Sequence, residues 1–262
     1  MAHDGAHDAL VAEQIAYYRA RADEYDEWAL RQGRYDRGAE ANAAWFAETA
    51  QVADALHAFL RERPITSALE IAAGTGLWTQ RVAPAVERLT ALDAAPETLA
   101  INRERLGALA ERVTYLTADI FGWEPPEGQR YDMIFFGFWL SHVPPERFAN
   151  FWMKVRNWLA PDGRVFLVDS AYEPTSTARD HQLEGAEATS VERRLNDGQR
   201  YRIVKVFYTP DKLAAALTPL GWQTRLQATA NYFIYGGAQT AEVTGVGKRV
   251  ADMNVRRTGA GG

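Results

Sequence analysis

The stretch ALEIAAGTGLWT, residues 68–79, joins an apolar run to a turn that contains Gly74 and Gly76. Continuous apolar residues are typical of a strand that is buried on both faces of a sheet. The two glycines let a ligand approach the backbone closely, because no Cβ intervenes. A tight turn that binds nothing could use the same glycines. The stretch therefore predicts a strand, a tight turn and a helix, and it leaves ligand binding open.

More short apolar runs follow this stretch, and segments with helical spacing separate them. Strands that alternate with helices indicate a doubly wound α/β fold with a parallel sheet and helices on both faces. The predicted strands are 66–72, 88–93, 112–118, 131–137 and 163–170, and the predicted helices between them are 77–86, 96–109 and 145–159.

The two ends of the chain have other patterns. Residues 8–31 carry apolar and aromatic side chains at helical spacing, and a second helix is predicted from about residue 39 to 63. Beyond the fifth strand, Asn196-Asp197-Gly198 is a strong hairpin signal. Two closely joined strands near the C-terminus must pair antiparallel, since a parallel pair needs a long crossover. These C-terminal elements are hairpin strands 191–195 and 201–207, a helix over 210–220 that ends at Gly221, and strands 222–229 and 231–236.

Composition excludes several classes of protein and site. The 262 residues include 29 basic and 34 acidic side chains, a net charge of −5, and there is no Lys/Arg run. Nucleic acid and anionic membrane surfaces are therefore poor partners. The chain has no cysteine, so disulfides, thiolate nucleophiles and Cys-based metal sites are impossible. The five histidines lack ligand spacing, and we expect no metal. Without a membrane-length apolar run or a signal peptide, we expect a cytoplasmic protein.

Polar side chains stand at the ends of three successive predicted strands. Glu70 closes the first strand, Asp93 ends the second, and Asp119-Ile120 follows the third. Doubly wound folds bind ligands in the crevice outside the carboxyl ends of their strands. An acid at the end of the second strand can hydrogen-bond both ribose hydroxyls, and Asp119 with the Ile120 N–H could read an adenine edge. Together with the glycines, these positions indicate a nucleoside-binding crevice.

Residues 66 to about 170 resemble the class I S-adenosylmethionine-dependent methyltransferases, in their small-molecule, type 11/12-like branch. The matching motifs are ALEIAAGTGLWT, LTALDAAPETL, LTADIFGW, YDMIFFGFWLSHVPPERF and GRVFLVD. The C-terminal helix and two strands are similar to that family's reversed ending. The resemblance implies a Rossmann-like sheet of seven strands, mostly parallel with an antiparallel last strand. It also implies S-adenosylmethionine as cofactor and S-adenosylhomocysteine as product.

The resemblance assigns cofactor contacts to specific positions. Glu70 is implied to face the methionine amino group, Asp93 to hold the ribose, and Asp119 with Ile120 to hold the adenine. One position departs from the family, because Ala72 stands where the first glycine of the loop is usual. Trp78 is expected beside the adenosine end. The other implied contacts are the loop residues Ala72, Ala73, Gly74 and Gly76, and the backbone around Phe136 and Gly137 after the fourth strand.

His142 is the best candidate for a general base, because it follows the fourth strand at the crevice and its side chain titrates nearest neutrality. Tyr18, Tyr25 and His57 are weaker candidates on the two N-terminal helices. Each has an alternative interpretation as a packing residue, and His142 in particular could simply pack against the start of the next helix. Trp78 and Trp123 are expected to frame the adenosine.

The N-terminal pattern Tyr17-Tyr18-x-x-Arg21-Ala22-x-x-Tyr25-Asp26 resembles the family's substrate-covering segment. Aromatic faces there could attract the sulfonium cation and hold a flat acceptor, or they could be ordinary core. The hairpin suits a lid or a contact in a homodimer. The expected organisation is a helical substrate-covering segment over 1–63, a cofactor-binding domain over 64–240 with a hairpin lid over 189–207, and a mobile tail over 241–262.

These patterns indicate methyl transfer to a small metabolite, and an aromatic or heteroaromatic one is favoured. The acceptor atom is left open among carbon, oxygen and nitrogen, with a carbon atom of an indole-type ring as the preferred example. One alternative is an accessory protein of the same fold without turnover. A second alternative, an NAD-dependent Rossmann enzyme, would need glycine where Thr79 stands. Nucleic-acid methylation is disfavoured, since Phe136-Gly137-Phe138-Trp139 replaces the N-P-P-Y or D-P-P-Y tetrad.

Overall fold

The computed structural model describes residues 2–241, with side chains described from residue 8 onward. Nine strands and seven α-helices make up the regular structure of these residues. The strands are β1 (Ser67–Ile71), β2 (Arg88–Asp93), β3 (Val113–Thr117), β4 (Tyr131–Gly137), β5 (Leu159–Ser170), β6 (Ser190–Arg194), β7 (Arg200–Val204), β8 (Trp222–Ala228) and β9 (Phe233–Thr240). The helices are α1 (Ala2–Ala20), α2 (Tyr25–Ala29), α3 (Ala39–Arg61), α4 (Thr79–Val82), α5 (Pro96–Leu106), α6 (Phe148–Trp158) and α7 (Pro210–Leu217).

Seven strands form one sheet in the order β3-β2-β1-β4-β5-β9-β8. Strands β1 to β5 pair in parallel, and β9 pairs antiparallel with both β5 and β8. The reversal of strand order beside β1 is the point at which open α/β sheets bind ligands. This topology confirms the predicted seven-stranded, mostly parallel, Rossmann-like sheet with its antiparallel ending.

Helices cover both faces of the sheet, each over its own apolar core. On one face, α3 and α5 pack on alternate strand residues such as Ala68 and Phe135. On the other face, α6 and α7 pack on the intervening residues, such as Leu69 and Phe136. Because successive strand side chains point to opposite faces, the continuous apolar runs of the sequence supply both cores at once.

The N-terminal segment differs from its sequence prediction. A single helix was expected over 8–31, whereas α1 ends at Ala20, a 3-10 turn covers Ala22–Glu24, and α2 is short. The buried Arg21 at this break donates a hydrogen bond to the Tyr35 hydroxyl at 3.2 Å. Tertiary contacts at Arg21 thus override the local helical periodicity.

Other boundaries shift at the ends of helices and strands. Several predicted helix ends form separate 3-10 turns, at Ala83–Ala85, Gly107–Arg112, Pro145–Arg147 and Thr218–Leu220. Strand β5 begins at Leu159 and pairs irregularly with β4 before Arg164. Strand β9 extends to Thr240, because it pairs with most of β5. The hairpin β6–β7 forms around the predicted Asn-Asp-Gly turn, and Gly221 adopts the left-handed conformation of a helix C-cap.

Two further features concern the part of the chain that the structure describes. No helix there is long and apolar enough to cross a membrane, and no cluster of three or more His, Asp or Glu side chains there could hold a metal ion. Of the predicted mobile tail over 241–262, all but the first residue lie outside the described residues.

Gly76 sets the distance between the turn after β1 and helix α5. Its φ is +90°, and a Cβ at this position would lie 2.8 Å from Cγ of Asn102, which is fully buried. The Asn102 amide donates to Thr79 Oγ1 at 2.8 Å and to the Gly74 carbonyl at 3.3 Å. Only glycine satisfies both the backbone conformation and this close approach.

Replacing Gly76 with alanine is therefore expected to destabilise the protein by about 2–4 kcal/mol, from left-handed strain together with overpacking. Gly128→Ala is the matched control, since Gly128 has φ +78° and open space where its Cβ would lie. The control is expected to lose only about 1–2 kcal/mol. Chemical denaturation measures both losses, and equal losses would contradict the close approach at Gly76.

Candidate active site

The turn after β1 exposes its backbone at the carboxyl edge of the sheet. Ala72, Gly74 and Gly76 all have positive φ, at +54°, +54° and +90°. Ala72 thus adopts the conformation that glycine usually supplies, at a strain of about 1–2 kcal/mol. Non-glycine residues held in this region cluster at functional sites, where surrounding structure fixes them.

Asp93, at the end of β2, holds this turn in place. Its carboxylate accepts hydrogen bonds from the Gly74 N–H at 2.8 Å and the Ala95 N–H at 2.9 Å. Burial raises the pKa of Asp93, although these backbone N–H groups oppose the shift. Since each carboxylate oxygen can accept more than one hydrogen bond, Asp93 retains capacity for a ligand hydroxyl.

Glu70, at the end of β1, is buried with a side-chain oxygen that has no partner. The residue is 2% exposed, and Oε2 makes no hydrogen bond. Burial raises the pKa of its carboxyl to about 8, although a hydrogen bond from Thr79 opposes this shift. Glu70 lines a cavity of about 880 Å³ together with Ala72, Ala73, Gly74, Trp78 and Gly137.

A second cavity, of about 710 Å³, continues along the carboxyl edge. Asp93, Asp119 and Ile120 line it, and the Asp119 carboxylate accepts the Phe121 N–H at 3.0 Å. Ile120 is buried and supplies an apolar wall. This cavity has mostly apolar walls and a few polar groups, as small-molecule sites commonly do.

A third cavity, of about 570 Å³, lies between the N-terminal helices and hairpin β6–β7. Tyr25 and Phe138 line all three cavities, so they stand where the three meet. Phe138 has a positive φ of +56°, and its N–H donates to the Val168 carbonyl at 2.7 Å. The junction is therefore built on a constrained backbone at the end of β4.

His142 is buried between two fixed partners. Its Nδ1 lies 2.7 Å from the Val204 carbonyl, and its Nε2 lies 2.7 Å from the Tyr18 hydroxyl. A carbonyl can only accept, so Nδ1 carries the proton and Nε2 accepts from Tyr18. Burial, with the charge of Lys205, lowers the pKa of His142 well below its ordinary value. The imidazole is neutral, and the lone pair on its Nε2 already accepts the hydrogen bond from Tyr18.

The structure brings most of the predicted site residues to the cavity walls. Two of them lie elsewhere: Gly76 packs on Asn102, and the side chain of Phe136 is in the core between Phe151 and Trp152. The predicted cofactor residues on the walls are Glu70, Ala72, Ala73, Gly74, Trp78, Asp93, Asp119, Ile120 and Gly137, and the predicted catalytic residues there are Tyr18, Tyr25 and His142.

Two tryptophans and one histidine that the sequence analysis singled out have the following surroundings. Trp78 lines the same cavity as Glu70, against Phe135 and Phe138, and its expected place beside the adenosine stays a prediction. Trp123 is half-buried and packs edge-on against the core residue Trp158. His57 lies on α3 in a separate surface depression, so it is not a candidate base.

One contact to the site was missed in the sequence. The Thr75 hydroxyl donates to the Asp26 carboxylate at 2.6 Å, and Arg105 forms an ion pair with the same carboxylate. Asp26 thus ties α2 to the turn after β1. Its position in the Tyr17–Asp26 pattern was a signal, but the partner in the loop is not visible from sequence spacing.

Comparison with known proteins agrees with this geometry. A family model described as a methyltransferase domain matches residues 68–163. Nodulation protein S of Sinorhizobium fredii (strain NBRC 101917 / NGR234) is 32% identical over 109 residues, which are 40% of this chain and 48% of that protein. Phosphoethanolamine N-methyltransferase 1 of Triticum aestivum is 25% identical over 112 residues, which are 42% of this chain and 22% of that protein. The chain thus spans less than half the length of these two relatives.

Solved structures extend the similarity over nearly the whole chain. The structure of DhpI in complex with SAH has a TM-score of 0.69 and 34% identity, and covers 89% of this chain and 98% of DhpI. The DhpI-SAM-HEP complex has a TM-score of 0.69 and 35% identity, and the alignment covers 88% of this chain and 97% of that chain.

The fold and the cavities define a Rossmann-like protein with a cleft at the carboxyl edge of its sheet. With the relatives above, this chain belongs to the class I S-adenosylmethionine-dependent methyltransferases. The predicted family and the predicted cofactor are confirmed, and the nicotinamide alternative is not supported.

The state of His142 gives a direct prediction. Because burial and the nearby Lys205 disfavour the imidazolium, His142 is expected to stay neutral at about pH 6, with its proton on Nδ1. Lys205→Met is expected to raise the pKa of His142. Nitrogen-15 NMR of the imidazole as a function of pH measures the tautomer of His142 and its pKa in the wild type and in Lys205→Met. A His142 that titrates at its ordinary value, or one insensitive to Lys205→Met, would contradict this environment.

Proposed function

We propose that this protein transfers a methyl group from S-adenosylmethionine to a small molecule held in the third cavity. The observation that carries the proposal is the meeting of all three cavities at Tyr25 and Phe138. A molecule in the third cavity would be in contact with the cofactor cleft at that point. Alignment of the two reactants is the main contribution that such a displacement needs from a protein.

The residues present fit the cofactor. The unpartnered Oε2 of Glu70 is an acceptor for an ammonium group, and ionisation of the buried carboxyl would then be compensated. Asp93 would accept from ribose hydroxyls, and Asp119 with the backbone N–H of Ile120 would bind the adenine edge. The backbone of Ala72–Gly74 and Gly137 would lie against the methionine portion, since no large side chain intervenes.

When bound, S-adenosylmethionine supplies a methyl group on a positively charged sulfur. The aromatic faces of Tyr25 and Phe138 would attract this charge and exclude water from the junction. Burial raises the pKa of Tyr25 to about 12, so its hydroxyl keeps its proton near neutrality and can donate a hydrogen bond to the acceptor.

Tyr18 and His142 would act together. Because His142 Nε2 already accepts the Tyr18 hydroxyl, a proton from an acceptor would reach the imidazole by way of Tyr18. The lowered pKa of His142 makes it a weak base. We therefore propose that the pair orients the acceptor, and that it receives a proton only from an acceptor that carries one.

Residues 1–63 and the hairpin over 189–207 would cover the substrate. The Arg202 N–H donates to Glu13 Oε1 at 2.7 Å, and the Val204 N–H donates to Gln14 Oε1 at 3.1 Å. These contacts join the hairpin to α1, while Asp26 joins α2 to the cofactor loop. The hairpin and α1 also share an apolar cluster of Tyr17, Val191, Leu195 and Ile203, so lifting the hairpin would break these hydrogen bonds and expose that cluster.

An aromatic or heteroaromatic acceptor, indole-type or other, is supported by the rings of Tyr18, Tyr25, Trp28 and Phe138 on the cavity walls. The atom methylated is left open among carbon, oxygen and nitrogen. A homodimer and a cytoplasmic location stay predictions from the sequence.

Removing the Asp93 carboxylate tests the cofactor site. We expect Asp93→Ala to weaken S-adenosylhomocysteine binding roughly 10- to 100-fold, the loss of charge-assisted hydrogen bonds to the ligand. Isothermal titration calorimetry of the full chain measures this loss.

Asp132→Ala is the matched control. Asp132 also accepts two backbone N–H groups, from Thr66 at 2.9 Å and Ser67 at 3.0 Å, but at the opposite end of β1. This variant is expected to lose stability and to keep its affinity. Wild-type affinity in Asp93→Ala, or equal weakening in both variants, would refute the assignment.

A further inference from the structure

The third cavity is lined by cations and, among the residues that the structure describes, by no carboxylate. Arg21, Arg193 and Lys205 are on its wall, and the lining residues include neither Asp nor Glu. These three side chains belong to residues that are only 8%, 9% and 6% exposed. In a chain with a net charge of −5, this concentration of buried positive charge is local.

Within the part of the chain that the structure describes, only one of the three cations has a carboxylate partner. Lys205 Nζ lies 3.7 Å from Asp169 Oδ1 and donates to Ser141 Oγ at 2.8 Å. Among the described residues, no carboxylate lies within salt-bridge distance of Arg21 or Arg193. Arg21 has a neutral partner, the Tyr35 hydroxyl, and lies 4.8 Å from the centre of the Tyr25 ring. Two buried guanidinium groups thus lack a carboxylate counter-ion among the described residues, which is costly in the absence of a ligand.

Unpaired hydrogen-bond donors surround the same cavity. Arg21 Nε, Arg193 Nη1 and the Tyr17 hydroxyl are all buried without a partner. All three residues line the third cavity. Native proteins satisfy most buried polar atoms, so three donors left open around one cavity call for a ligand that accepts from them.

The positive charges around the cavity contribute to the pKa shifts of its lining groups. Burial lowers the pKa of Arg193; the nearby Tyr17, Tyr18 and Tyr35 oppose this shift, and the charge of Arg21 adds to it. Burial also lowers the pKa of Lys205 to about 8, with Asp169 opposing the shift and Arg193 adding to it. The pKa of His142 is lowered by burial and then by Lys205, Arg193 and Arg21.

We propose that the third cavity recognises the methyl acceptor by an oxyanion group, a carboxylate or a phosphoryl group, held by Arg21 and Arg193 with the Tyr17 hydroxyl. Guanidinium groups match the geometry of such oxyanions and can bind them in a bidentate manner. The bound anion would compensate the two buried charges and satisfy the open donors. This inference rests on the proposed function, because it names the substrate class of the same site.

The placement of Arg193 follows from the hairpin. Val191 and Arg193 lie on the buried face of β6, and Glu192 and Arg194 lie on the exposed face. Strand alternation therefore turns one arginine of the Arg193-Arg194 pair inward, to the wall of the third cavity that Tyr17 and Ile203 also line. The lid would thus carry part of the specificity, since it brings Arg193 to the acceptor.

The experiment uses the full chain saturated with S-adenosylhomocysteine. Sodium phosphate and sodium acetate are titrated separately at constant ionic strength, with indole as a neutral aromatic probe, and binding is followed by thermal shift. A saturable rise in melting temperature with phosphate or acetate is expected. Tighter binding of phosphate would indicate a preference for a phosphoryl group, and tighter binding of acetate a preference for a carboxylate.

Two variants of the same hairpin locate the effect. Arg193→Met is expected to weaken anion binding roughly 10- to 100-fold. Arg200→Met, which removes a side chain that is 64% exposed, is the matched control and is expected to bind as the wild type does. Because no described side chain forms an ion pair or hydrogen bond with the Arg193 guanidinium, the variant is expected to be at least as stable as the control in anion-free buffer. A variant that fails to fold would contradict the view that this charge is unpaired.

The outcomes separate the two proposals. Absence of S-adenosylhomocysteine binding in the wild type would overturn the proposed function. Normal S-adenosylhomocysteine binding without a response to phosphate or acetate would overturn only the oxyanion inference. Equal anion binding in Arg193→Met, or indole binding tighter than either anion and insensitive to Arg193, would overturn it as well.

Discussion

The backbone geometry of residues 72–76 is the constraint on which the rest of the site depends. Asp93 accepts the Gly74 N–H from one side, and Asn102 donates to the Gly74 carbonyl from the other. With the turn held between these side chains, Gly76 can rest directly on Asn102. The same turn separates the cavity of Glu70 from that of Asp93, so a small shift in its backbone would alter both.

Buried polar atoms without partners divide the site into two halves of opposite character. At the cofactor end, Glu70 presents an acceptor, and under the N-terminal helices Arg21 and Arg193 present donors. Each such atom costs stability in the unliganded protein. Their positions match the two proposed ligands, one with an ammonium group and one with an oxyanion, so the protein would exchange stability for recognition at both ends.

Sequence reasoning predicted the sheet and the cofactor half because both depend on local pattern. Apolar runs mark the strands, and polar residues at strand ends must share one edge of a parallel sheet. The substrate half depends on contacts between segments far apart in the chain. The inward position of Arg193 follows only once the hairpin is docked, and the link from Asp26 to Thr75 requires α2 to lie over the loop. The break at Arg21 was missed for the same reason.

Proton release on binding S-adenosylhomocysteine tests the central claim, that this crevice is built for that cofactor. Glu70 has a pKa of about 8 in the free protein, so it is mostly protonated at neutral pH, and a bound ammonium group would ionise it. Calorimetry near pH 7 in two buffers of different ionisation enthalpy should show that the wild type releases close to one proton per ligand bound. The Glu70→Gln variant should release about none and should bind the ligand more weakly. Binding without proton release, and with unchanged affinity in Glu70→Gln, would contradict it.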